Sequence, residues 1–95
     1  MLEPAYDEPV VLILDKIEND PTRRALWNAI CDAIDLICDH PDSGEARRDE
    51  LKTAHGKTVW QVPIRCHVEG DNWVLLWYPD GPDAKIVYVG SGLFR

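Results

Sequence analysis

Between Thr22 and His40 the chain reads TRRALWNAICDAIDLICDH, and its apolar residues fall into two neighbouring columns. Leu26, Ile30, Ala33 and Ile37 recur at steps of four, three and four; Trp27, Cys31, Ile34 and Cys38 repeat those steps one residue on. Arg24, Asn28, Asp32, Asp35 and Asp39 make the wet stripe opposite. That period is helical, and a helix with so wide an apolar face has to bury it against something. Asp20 is placed to cap its start, Pro21 suits the first helical position, where a missing N–H costs nothing, and Pro41 ends it.

What covers that face has to come from the rest of a 95-residue chain, which is one domain near the small end of independent folding. Upstream, DEPVVLILDKIEND suits two structures. Val10, Leu14 and Ile17 stand at helical spacing, whereas the β-branched Val10, Val11 and Ile13 suit a strand. The polar run Asp15, Lys16, Glu18, Asn19 favours a helix, which makes 8–40 a helical hairpin with a tight Asn19–Asp20 turn. Residues 1–7, acidic and broken by Pro4, are expected to be a flexible arm.

Downstream the period changes from 3.6 to 2. KTVWQVPIR places Trp60, Val62 and Ile64 on one face and Val59, Gln61, Pro63 and Arg65 on the other. Pro63 has no N–H for a ladder bond, so it belongs where that group would face away from a neighbour. NWVLLWY is apolar on both faces, as a central strand is. PDGPD is a turn by composition, and AKIVYVG is a further strand. SGEARRDELKTAHGK, with Ser43 as a cap, reads as a short helix or a structured loop ending at Gly56. The expected architecture is α+β: a helical hairpin on one face of an antiparallel sheet of three to four strands, with the meander over 57–90.

The net charge of −7 is unevenly distributed. Residues 1–45 carry eleven acids against three bases, and residues 46–95 six acids against seven bases. Nucleic-acid binding needs clustered Lys and Arg, so this balance weighs against RNA or a ribosome as partner. No apolar run is long enough to cross a membrane. MLEPAYDEP is not a signal peptide, and a cytoplasmic location is expected. Cys31, Cys38 and Cys66 have no CxxC spacing and read as reduced, buried fillers. A zinc site from these three and His67 matches no ligand spacing, so neither metal nor cofactor is expected.

In order and spacing, several phrases resemble the RelE/ParE superfamily of bacterial toxins, one half of type II toxin–antitoxin pairs. AIDLICDHPDSG is similar to that family's second helix and its Pro-bearing exit. LKTAHGKTVWQVPI resembles the Leu-then-Gly approach to its first meander strand. DNWVLLWYPDG resembles the strand and turn that follow, and KIVYVGSGLFR the last strand. The resemblance covers about residues 12–95 and implies a bacterial or phage source. The family's opening strand has no evident counterpart, since MLEPAYDE shows no alternation.

In the family's ribosome-dependent RNases, bases on the first meander strand, an arginine opening the second and an Arg or His after the last Gly carry the cutting. Those positions here are Gln61 and Pro63, Trp73, and Gly92, following Ser91. None bears a charge, so the resemblance implies the fold without the standard nuclease groups. An uncharged aromatic sheet face suits binding, and Gln61, Trp73, Trp77, Tyr88, Phe94 and Arg95 are the candidate binding residues. Trp60 is expected in the core under the helices.

Three functional readings follow. The first is a toxin-like, growth-inhibitory protein that binds a macromolecular target and is masked by a cognate antitoxin. The ParE branch, whose target is DNA gyrase, is the nearer likeness because it lacks the nuclease residues. The second is a non-toxic protein–protein module or regulator on the same fold, with a homodimer as one form. The third is an mRNA endonuclease with relocated groups, for which His55, Arg65 and His67 are the candidates, with Arg47 and Arg48 beside them. A solvated histidine and arginines ion-paired with Glu45, Asp49 and Glu50 are the simpler account of those residues.

Overall fold

A computed structural model describes residues 1–66 and 72–92. In chain order the elements are β1 (Glu3–Tyr6), α1 (Glu8–Glu18), a 3₁₀ turn (Pro21–Arg23), α2 (Arg24–Asp39), β2 (Asp49–Lys52), β3 (Thr58–Ile64), β4 (Trp73–Asp80) and β5 (Asp83–Ser91). The class is α+β, with both helices packed on one face of a single sheet.

Helix α1 resolves the ambiguity of VVLIL. Burying Val10, Leu14 and Ile17 at helical steps outweighs the strand preference of its β-branched residues. On α2, Leu26, Ile30, Ala33, Ile34, Ile37 and Cys38 are buried. Asp20 caps the 3₁₀ turn leading into α2: its Oδ1 accepts from the Thr22 N–H at 3.0 Å and the Thr22 hydroxyl at 2.6 Å. His40 closes the helix, its N–H donating to the Leu36 carbonyl, and Pro41 follows.

Among the described residues the sheet has five strands, not three or four, in the order β1-β5-β4-β3-β2, and it is mixed rather than wholly antiparallel. The first addition is β1, parallel to β5, where a flexible arm was expected. Its alternation is sparse: Leu2 and Tyr6 pack against the core while Pro4 stands between them. The Leu2 N–H donates to the Cys38 carbonyl at 2.8 Å, and Asp7 pairs with Lys85 at 3.1 Å. The second addition is β2, within a segment expected to be short helix or loop. DELK forms an edge strand, and its charges keep that edge from pairing with other chains.

β4 lies at the centre of the sheet, in keeping with its apolar character on both faces. Val62, Ile64, Leu75, Trp77, Ala84, Ile86 and Val89 meet the helices. A bulge between β4 and β5 leaves Val87 unpaired, since Leu76 faces Tyr88 while Trp77 faces Ile86. On the far face Val59, Val74 and Leu76 are also buried, at 4, 7 and 8% exposure, without belonging to the core beneath the helices. The turns need glycine at two places. Gly56 (φ 79°) closes β2–β3 and Gly81 (φ 59°) closes β4–β5, both in the left-handed region.

No described helix is long and apolar enough to cross a membrane.

Candidate functional site: a cleft between the second helix and the third strand

The phase of the β2–β3 ladder fixes where β3 is exposed. The Thr53 N–H donates to the Lys57 carbonyl at 2.8 Å, and the register pairs Leu51 with Val59 and Asp49 with Gln61. Odd-numbered residues of β3 therefore turn their main-chain groups toward β2. Pro63 is next in that series and lies beyond Asp49, the first residue of β2. The absent N–H thus faces away from any neighbour, as expected from the sequence. Because β2 starts only at Asp49, the end of β3 has a partner on the β4 side alone.

Beside that unpaired end, α2 presents small residues. Ala29 and Ala33 leave room that a larger side chain would fill, and a cleft of about 260 Å³ results. Leu36 and Val62 complete its apolar floor, and Pro63, at the unpaired margin of β3, borders it. Its rim carries Asp32 from α2, Glu45 and Arg48 from the α2–β2 connection, and Arg65 just past β3. All four rim residues are exposed. Asp32 thus comes from the helix wall and Arg65 from the end of β3, with Glu45 and Arg48 between them on the connection, so the rim carries charges of both signs.

Arg47, adjacent to Arg48, is committed elsewhere. Its Nε donates to the Pro41 carbonyl at 2.7 Å and its Nη2 meets Asp42 at 3.2 Å. The guanidinium lies 5.4 Å from the Trp60 ring centre and 5.9 Å from that of Trp77. Arg47 thus pairs with Asp42 rather than with Glu45, Asp49 or Glu50, and Lys52 meets Glu50 at 3.7 Å.

The expected aromatic binding face is not where the sequence placed it. Trp77 is fully buried among the helix-facing residues, and its Nε1–H donates to the Ala46 carbonyl at 2.9 Å. Trp73 packs on the helix side too, with the Arg23 guanidinium 5.5 Å from its ring centre. Trp60 is half-buried against the same core. Strand parity explains this: Trp73 and Trp77 share a face with Leu75, and the register sets Trp60 opposite Trp77. The far face keeps Gln61, Pro63 and Tyr88. Tyr88 lies over Gly90, with its hydroxyl donating to the Ser91 carbonyl at 2.8 Å.

Gln61, Pro63 and Trp73 therefore do not converge, since Trp73 faces the helices and the other two face away. Gly92 is packed so that an added Cβ would lie 2.7 Å from Val74 Cγ1 and 2.9 Å from the Asn72 carbonyl oxygen. A longer side chain has no space there. His55 and Arg65 are both exposed and stand at opposite ends of β3, a seven-residue strand about 20 Å long. His67, Phe94 and Arg95 lie outside the described residues.

Burial, then the nearby carboxylates Asp35, Asp32 and Glu18, push the Cys31 thiol up; burial, then Asp39, Asp35 and Glu3, do the same to Cys38. Both thiols are thereby held away from the nucleophilic thiolate. Among the described residues no three His, Cys, Asp or Glu side chains gather as a metal ion requires.

The fold and the cleft together define a small α+β domain with an apolar cleft, rimmed by charges of both signs, beside the end of β3. Comparison with protein-family models, curated proteins and solved structures finds no match.

Proposed function

We propose that this chain works by binding another macromolecule, as a growth-inhibitory, toxin-like protein of the RelE/ParE kind that a cognate antitoxin neutralises. The observation that carries the binding half of this reading is the cleft beside β3: an apolar floor ringed by charges of both signs, the anatomy of a protein contact. The toxin half draws on the resemblance in AIDLICDHPDSG and the three strand phrases. Two structural features agree with it. The helical hairpin covers one face of the sheet, and an opening strand, the family feature missing from the sequence reading, is present as β1.

Induced expression in a bacterial host tests it. Growth arrest relieved by co-expression of a neighbouring small gene is the expected result. Unimpaired growth at high expression would remove the toxin half and leave the non-toxic protein–protein module on the same fold. Ribosomes and mRNA incubated with the purified protein address the nuclease reading. Cleavage lost in a His55→Ala, His67→Ala double variant would replace the binding mechanism with a catalytic one.

A further inference from the structure

Resting on the binding reading above, the geometry points to a particular kind of partner. We propose that the α2–β3 cleft seats one apolar side chain of a partner's amphipathic helix, with acids on the flank facing Arg48 and Arg65 and a base on the flank facing Asp32.

Strand addition, the usual use of an open sheet edge, is disfavoured here. The edge-facing position is Pro63, which offers a carbonyl but no donor, so an incoming strand would find its ladder interrupted at the first step. A partner must therefore reach the site with side chains rather than with backbone. The cleft volume of about 260 Å³ suits that, being below the usual span for cofactors and drug-sized ligands, roughly 300–1,000 Å³. It has room for a large apolar side chain entering from a partner's surface.

Charge selects the orientation. None of Asp32, Glu45, Arg48 and Arg65 is held in an ion pair within the described residues, so each is free to meet a partner's charge. Arg65 lies at the end of β3 and Asp32 on α2, where Asp35 and Asp39 continue its acidic stripe, while Arg48 and Glu45 come from the connection between helix and sheet. A helix carrying its apolar anchor between an acidic and a basic edge matches both walls, while the reversed helix meets like charges along its length.

The test uses the full chain and a phage library of a short alanine-rich helix with one randomised face. Selection is expected to enrich a single Leu, Met or Phe flanked by Asp or Glu on one side and Lys or Arg on the other. Added to the ¹⁵N-labelled protein, the selected peptide should shift the amides of Ala29, Ala33 and Val62. Ala29→Met, which fills the cleft from a half-exposed position, and the surface pair Arg48→Glu, Arg65→Glu should each weaken binding at least about tenfold. No enrichment, shifts confined to Leu76 and Tyr88 on the far face, or unchanged affinity in both variants would overturn the assignment. Growth arrest that survives Ala29→Met would sink the cleft while sparing the toxin reading. Peptide capture without growth arrest would do the reverse.

Discussion

Trp77 donates its indole N–H to the carbonyl oxygen of Ala46 at 2.9 Å, joining the central strand to the loop after α2 across 31 residues of chain. Both residues are fully buried. The bond fixes the connection that carries Glu45 and Arg48 to the cleft, and Arg47 adds its stacking on Trp60 and Trp77. Trp77→Phe leaves the Ala46 carbonyl without its partner and the core short of an indole ring. Unfolding in urea should show a loss of about 2–4 kcal/mol. An unchanged midpoint would mean that the loop does not depend on this bond.

Gln61 is half-buried on the far face, and its Oε1 is buried without a hydrogen-bond partner among the described residues. Such an acceptor costs stability, so Gln61→Met should raise the unfolding free energy by about 1 kcal/mol. If the far face contributes to recognition, the stabilised variant will bind its partner less well. A destabilised Gln61→Met would show that the amide is satisfied in solution.

At Gly92 the obstacle to a side chain is close packing, not backbone conformation. Gly92→Ala should cost about 1–3 kcal/mol, because Val74 Cγ1 and the Asn72 carbonyl oxygen occupy the space a methyl needs. Gly92→Arg, which restores the charge the family resemblance implies at this position, should lower the melting temperature further and yield no RNA cleavage. Cleavage by that variant would contradict the packing seen here.

Hydrogen bonds from the Thr22 hydroxyl and N–H hold the Asp20 carboxyl below its ordinary value of 3.8. Because the folded value is the lower one, the stabilisation is fully present above pH 3.8 and is lost as the pH falls through the folded value. Asp20→Ala should therefore reduce the melting temperature at neutral pH, and the gap to the parent should narrow steadily as the pH drops below 3.8. A gap of constant size across that range would show that the carboxylate charge plays no part in the cap.

Much of this architecture was legible where one face of an element is buried and the other is wet. The periods of α2 and β3, the Pro63 position and the PDG turn all follow from that contrast. Two strands escaped because their sequences lack it. β1 is a four-residue edge strand containing proline, and DELK is charged because an edge has to repel other edges. The tryptophans misled for a different reason. A run apolar on both faces says that a strand is central but not which side each indole takes; β4 places Trp73 and Trp77 inward by parity with Leu75. The cleft was not legible at all. It depends on Ala29 and Ala33 standing next to a strand whose neighbour begins too late to cover it, a relation between distant segments that no local spacing records.

The parallel pairing of β1 with β5 has a consequence for the order of assembly. β1 is docked on a segment synthesised eighty residues later, as the match of Glu3 with Asp83 shows. Until that late hairpin exists, β1 lacks the strand it pairs with, and the buried sides of both helices lack Ala84, Ile86 and Val89. A nascent chain of this protein is therefore expected to stay protease-sensitive until β5 is free to pair, and then to close in one step.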